Sequence, residues 1–152
     1  IRYLYIKNST ILFMNILFLC VGNSARSQIA EGLANDMFGN KHVVRSAGSS
    51  PTGEVHRHAH LALEDIGIDI SSYKSKSIQD LEEDFIDNLD FVITLCAEEV
   101  CPVVPSKAKL LHWVNEDPAN DKLNEIQLKI AFAKTRENIF NLLKKLMIDN
   151  NL

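Results

Sequence analysis

Cysteine is scarce in this 152-residue chain: Cys20, Cys96 and Cys101 are the only three. An odd, small number excludes the disulfide framework of a small secreted domain and favours a reducing compartment and a chemical role. Net charge is also small, at −4, with 16 Lys and Arg against 20 Asp and Glu. No basic field exists to hold a nucleic-acid backbone or an anionic membrane, so any anion site must be local. Glycine (6) and proline (4) are few, which argues against disorder, and aromatics amount to 7%. The hydrophobic fraction of 46% supports a real core in one domain of ordinary size. The apolar run near the N-terminus is too short to span a bilayer.

That N-terminus permits two readings. Arg2, Lys7 and the run ILFMNILFLCVG imitate a secretory signal, with Cys20 as a lipidated cysteine. Phe18 and Leu19 are bulky where cleavage needs small residues, and Asn15 interrupts the run. The preferred reading starts the native chain at Met14. Residues 1–13 are then an upstream extension with no fold role, and 14–152 form a single domain.

Four short apolar runs predict buried strands: 15–20, 42–46, 90–96 and 109–114. Between them, helices are expected at 27–38, with Ile29, Leu33 and Met37 on one side, at 55–67, and at 77–87, capped by Ser75 or Ser77. Residues 47–54 have loop composition. A last helix, 124–148, carries Phe132, Ile139, Leu143 and Leu146 on its apolar side. Alternation of buried strands and helices implies an α/β three-layer sandwich, with a four-stranded parallel sheet flanked by helices. Sites in such sheets form beyond the carboxyl ends of strands. Cys20 and Cys96 end their strands, Asp117 follows the fourth by a few residues, and all three fall on that one edge.

The stretch CVGNSARS, residues 20–27, joins the first strand to the first helix. Such an arc can turn the backbone N–H groups of Val21, Gly22, Asn23, Ser24, Ala25 and Arg26 inward as an anion nest, helped by the helix N-terminus. Gly22 permits close approach, and Asn23 tolerates a left-handed turn. Arg26 offers a planar fork of donors for a tetrahedral oxyanion. Its charge, the helix end and the Ser27 hydroxyl favour a thiolate at Cys20, a nucleophile beside its own anion site. The alternative is a buried structural cysteine with Arg26 on the surface.

Cys96 and Cys101 are separated by Ala97, Glu98, Glu99 and Val100, leaving a strand and entering a segment with Pro102 and Pro105. So short a segment can bring two sulfurs together, which suits a redox pair with one attacking and one resolving thiol. Two unrelated cysteines, or a zinc site lacking further ligands, are the other readings. His56, His58 and His60 lack the carboxylate and third ligand of a metal site and are read as a solvated or loop-stabilising cluster; no metal is expected.

CVGNSARSQIAEGL resembles the phosphate loop of the low-molecular-weight protein tyrosine phosphatase fold, over most of residues 14–148. RSAG (45–48), GIDIS (67–71), FVITLC (91–96), CP (101–102), LHW (111–113) and DPA (117–119) follow in order. Together they look like the thioredoxin-coupled arsenate reductases of this fold. The phosphatases carry aromatics after Asp-Pro, where this chain has Ala119-Asn120-Asp121.

The resemblance implies that arsenate sits in the nest, that Cys20 attacks arsenic and that Asp117 is the general acid. Arg26 and Ser27 complete the catalytic set. Cys20–Cys96 and then Cys96–Cys101 are the redox-active disulfides. It further implies no bound cofactor, electrons from thioredoxin and its NADPH-dependent reductase, phosphate as a competing oxyanion, and a cytoplasmic monomer without nucleic-acid or membrane partners. Asn23, Glu31 and Ser46 match positions that bind potassium in some members. Lys76 falls where those members have a carboxylate, and its ammonium is expected to replace the ion beside Glu31. The Cys96–Cys101 segment is shorter than usual, and Ala25 stands where several relatives have an extra cysteine. A phosphatase resolving its intermediate with water, and a non-catalytic oxyanion-binding or redox-sensing module, are the competing functions.

Overall fold

The computed structural model describes residues 2–6, 9–97 and 102–152, with side chains from Phe13 onward. The first two strands, β1 (Arg2–Ile6) and β2 (Ser9–Phe13), pair antiparallel with each other and, among the described residues, join no other strand. This hairpin stands where the sequence reading expects an extension without a fold role. The main sheet is parallel, in the order β4 (Val43–Gly48), β3 (Asn15–Cys20), β5 (Phe91–Thr94), β6 (Lys109–His112).

Alternation along the central strands divides the core between two faces. Ile16 and Phe18 of β3 and Phe91 and Ile93 of β5 face one cluster. It includes Ile29 and Leu33 of α1 (Arg26–Phe38), Leu63 of α2 (Arg57–Glu64), and Phe132, Ile139 and Leu143 of α4 (Glu125–Asn150). Leu17, Leu19 and Val92 face the other, with Leu81, Phe85 and Leu89 around the short helix α3 (Glu83–Asp87). The three layers expected from the sequence are therefore present. Phe18, Phe132, Ile139 and Leu143 have no exposed surface; each such side chain contributes roughly 1.5–3 kcal/mol by burial.

Three local expectations change. The helix expected at 77–87 is broken: Ile78–Asp80 is a 3₁₀ turn, and Leu81 and Glu82 are extended before α3. The Asp80 carboxylate accepts from the Ser77 N–H at 2.9 Å and its hydroxyl at 3.0 Å, closing a one-turn unit. The run 109–114 is not a buried strand but the sheet's edge, with Leu110 64% exposed; β5 pairs with it from one side only. Helix α1 is buried almost all round through its first two turns, including Arg26, Ser27, Gln28 and Glu31, because α2, α4 and the sheet surround it. Its Gly32 has the methyls of Leu63 and Ile70 where a Cβ would stand, at 2.6 and 2.9 Å. The missing side chain is what lets α2 pack there. Helix α4 starts at a reciprocal cap: Asn124 Oδ1 accepts from the Gln127 N–H, and Gln127 Oε1 from the Asn124 N–H.

β3 is anchored at its start by two groups. The Met14 N–H donates to His42 Nδ1 at 3.1 Å, and the Asn15 N–H donates to the Asp90 carboxylate at 2.8 Å. Burial, then Lys41, lowers the affinity of His42 for a proton below its ordinary value of 6.5. The unfolded chain therefore takes up that proton first as pH falls, and folding loses stability from about pH 6.5 downward. The melting temperature should drop between pH 7 and pH 5.5. In His42→Asn, followed by circular dichroism, the drop should be smaller.

Candidate functional site

Residues 21–25 arch over the carboxyl end of β3 and lead into α1. The carbonyls of Val21, Gly22 and Ser24 accept from the N–H groups of Ser50, Thr52 and His56, at 3.0, 3.0 and 2.9 Å. The Gly22 carbonyl also accepts from the Ser75 hydroxyl. A trans peptide sets its N–H opposite its C=O. Carbonyls held outward therefore turn the N–H groups of Gly22, Asn23 and Ala25 toward the inside of the arch. The Asn23 N–H lies 3.3 Å from Cys20 Sγ.

Asn23 holds this shape. Its φ of 47° is left-handed, a conformation that asparagine tolerates better than most residues. Its buried side-chain amide donates to Ser27 Oγ at 2.8 Å and Ser46 Oγ at 3.0 Å. Its Oδ1 accepts from Gln28 Nε2 and the Lys76 N–H, both at 2.9 Å. With the amide donating to both hydroxyls, each hydroxyl keeps its own proton to give away. Ser46 donates to Glu31 Oε2 at 2.6 Å, and Ser27 is left to donate to Cys20 Sγ at 2.8 Å. Burial pushes the Glu31 carboxyl up from its ordinary range, opposed first by the Lys76 ammonium, 3.5 Å away.

The arch walls a cavity of about 560 Å³, lined by Cys20 to Arg26, Ser50, Thr52, His56, Asp117 and Ala119. Cys20 is a buried free thiol. Arg26 is 5% exposed, not on the surface, and its Nη1 donates to the Asn115 carbonyl at 2.9 Å. That bond ties the loop to the segment carrying Asp117. Asp117 itself is exposed at the cavity mouth, its Oδ1 accepting from the Ala119 N–H. Ser27, Glu31, Ser46 and Lys76 stand behind the loop rather than in the cavity.

Of the thiol pair, Cys96 is 1% exposed, disulfide-bonded, and not among the residues lining the cavity. It lies near Cys20 through the sheet, since the Leu95 N–H donates to the Leu19 carbonyl. Cys101, with Glu98, Glu99 and Val100, lies outside the described residues.

Sequence reading missed the parts played by four residues. Gly48 ends β4 opposite Cys20, so the strand runs two residues into the expected loop. A Cβ at Gly48 would stand 2.3 Å from the Val21 carbonyl oxygen. The glycine of RSAG was the available signal. Ser50 and Thr52 emerge as the loop's outer brace. His56 lines the cavity, and the three histidines are not one solvated cluster, because His58 is 4% exposed and His56 stacks on Phe132.

A strand-end thiol under an arch of inward amides, at the start of a helix, defines the proteins built on a cysteine-containing phosphate loop. The chain belongs to the low molecular weight phosphotyrosine protein phosphatase family, which it matches over residues 15–151. It is 40% identical over 132 residues to the arsenate reductase of Bacillus subtilis strain 168, covering 86% of this chain and 92% of the relative. A solved arsenate reductase in the phosphate binding state superposes with a TM-score of 0.74 at 30% identity, over 90% of this chain and 98% of that one. The thioredoxin-dependent arsenate reductase of Corynebacterium glutamicum gives 0.66 at 30% identity, over 91% and 64%. The low molecular weight protein tyrosine phosphatase of T. tengcongensis gives 0.68 at 26%, over 90% and 99%.

Alanine at Gly48 must push against a backbone carbonyl of the loop, not a side chain that can rotate away. Gly48→Ala should cost about 1–3 kcal/mol of stability, the range for overpacked sites. It should also weaken inorganic phosphate binding at least tenfold by titration calorimetry.

Proposed function

We propose that this protein reduces arsenate to arsenite, with thioredoxin as electron donor. One observation carries the reading: Cys20 is a free thiol in a cavity shared with Arg26 and Asp117, while Cys96, at the neighbouring strand's end, is disulfide-bonded. The relatives named arsenate reductase support it.

In the proposed sequence the loop amides of residues 21–26 and the Arg26 guanidinium hold three oxygens of arsenate. The Cys20 thiolate attacks arsenic, forming an S–As bond, and Asp117 protonates the departing oxygen, which leaves as water. The Cys96 thiolate then attacks Cys20 Sγ. The S–As pair stays on arsenic, which becomes As(III) and leaves as arsenite, and a Cys20–Cys96 disulfide remains. Cys101 attacks Cys96 and releases Cys20. The thioredoxin dithiol reduces the Cys96–Cys101 pair, and NADPH restores thioredoxin through its reductase. That oxidised end state has Cys20 free and Cys96 bonded. Ser27 steadies the Cys20 sulfur with its hydroxyl proton. Phosphate occupies the same loop and competes. In this reading the protein needs no bound cofactor and works in the cytoplasm as a monomer. Among the described residues no helix is long and apolar enough to cross a membrane.

Hydrolysis of a phosphomonoester by the same thiol is the second reading, favoured by the family to which the chain belongs. Against an aryl ester, the described residues lining the cavity beyond the loop are Ser50, Thr52, His56, Asp117 and Ala119, with no phenyl or indole ring among them. Small free oxyanions suit that mouth better.

Behind the loop, Lys76 supplies the fixed positive charge for Glu31. The wild-type melting temperature should not change when potassium replaces sodium at equal ionic strength, and Lys76→Met should lower it; stabilisation by potassium would refute this role.

Arsenate-dependent NADPH oxidation through thioredoxin and its reductase tests the whole reading. Activity should vanish in Cys20→Ser, Cys96→Ser and Cys101→Ser. In Asp117→Asn adduct formation should slow roughly a hundredfold or more, the usual weight of a general acid. Turnover surviving both Cys96→Ser and Cys101→Ser would eliminate the relay.

A further inference from the structure

Among the described residues His56 is the one imidazole lining the cavity, and the phosphate-loop arrangement gives its ring no task. Three contacts fix it. Its backbone N–H braces the loop through the Ser24 carbonyl at 2.9 Å. Its ring stacks on Phe132, with centroids 4.7 Å apart and 26° between planes, and Phe132 is completely buried. Its Nδ1 accepts from the His58 N–H at 3.0 Å, making His56 the N-cap of α2.

The cap bond decides the tautomer. A nitrogen that accepts from a backbone N–H carries no proton, so the neutral ring keeps its hydrogen on Nε2. Nε2 makes no hydrogen bond among the described residues. The surroundings keep the ring neutral: burial first, then His58 and Arg57, disfavour the imidazolium, outweighing the carboxylates of Asp117 and Glu125. A rigid imidazole with one unused N–H thus stands in the wall of an anion cavity, within electrostatic range of Asp117.

We propose that His56 is an oxyanion-binding residue. Its Nε2–H donates to the outermost oxygen of the bound tetrahedral anion, the oxygen that faces Asp117 and not the loop. The loop amides and Arg26 serve the inner oxygens. The outer one needs a donor from the mouth of the cavity, and a neutral imidazole gives one without placing a cation beside the Asp117 carboxyl. Such a donor also selects by size: it favours a free tetrahedral anion, whose outer oxygen accepts, over an ester with a bulky group at that position. This inference rests on the oxyanion reading of the loop and adds a residue to it.

His56→Asn is the informative substitution. Asparagine retains a side-chain oxygen for the α2 cap but removes the stacked ring and its Nε2–H. His56→Phe retains the stack and loses both the cap and the donor. Inorganic phosphate and arsenate are titrated calorimetrically into wild type and both variants at pH 7.5, with melting temperatures measured alongside. Both variants should bind each anion about five- to tenfold more weakly, as expected for one lost hydrogen bond. His56→Asn should melt close to wild type. The KM for arsenate should rise in parallel, while the effect of Asp117→Asn on adduct formation persists. Wild-type affinity in His56→Asn, with intact binding by the native protein, would overturn the role of His56 and leave the loop reading standing. Failure of the native protein to bind either anion would overturn both.

Discussion

Asn23 is the point on which the site depends. One residue in a left-handed conformation reverses the chain between Gly22 and Ser24, and its amide then fixes the polarity of everything near it. Because both amide protons go to Ser27 and Ser46, the two hydroxyls have their own protons to spend on Cys20 and Glu31. Because its Oδ1 takes the Lys76 N–H and Gln28, the loop is sewn to the segment 74–76 and to α1. Each net hydrogen bond contributes only about 0.5–1.5 kcal/mol. Their joint effect is that the cradle holds one shape before any anion arrives. Groups that need no reorganisation are worth more to a developing charge than flexible ones.

The network has a cost that explains the unusual first helix. Ser27, Gln28 and Glu31 occupy buried positions of α1 where an ordinary packing helix would place apolar residues. Glu31 in particular is a carboxyl whose burial works against its charge, and Lys76 offsets that burial. The rest of the fold supplies the stability such a helix cannot. β3 is buried on both faces, and α4 sets a continuous apolar seam of Phe132, Ile139 and Leu143 against α1 and α2. The seam also reaches the site, because Phe132 is the surface against which His56 stacks.

Much of this was readable in advance, for identifiable reasons. Short apolar runs such as NILFLC give strands buried on both faces, and those runs alternate with helical spacing, so the layered parallel sheet follows from period alone. The loop was readable because Cys20, Gly22, Asn23 and Arg26 are close in sequence, and their placement between strand and helix gives each a purpose. Positions that act across the fold were not. Gly48 reads as part of a flexible loop until its register opposite Cys20 shows a carbonyl oxygen where a Cβ would stand. LLHWV reads as buried because hydrophobicity does not reveal an edge; only the strand order leaves Leu110 facing outward. The turn at Ser77–Asp80 fails the helical expectation because Leu81 and Glu82 are extended, so the capped start is not continued past one turn.

By itself, then, the sequence determined the elements and the chemistry carried within one loop, because strand period, helix period and a contiguous anion nest are all short-range properties. Tertiary structure decided which distant groups meet that loop. The outward brace from Ser50 and Thr52 and the approach of Asp117 through the Arg26–Asn115 bond come from segments far along the chain. So does the role of His56, whose ring is set by a cap on α2 and a phenyl face on α4. No periodicity links residues 23, 48, 56 and 117; only the folding of the parallel sheet beneath its helices brings them to one site, with Gly48 opposite Cys20 and the other three around the same cavity.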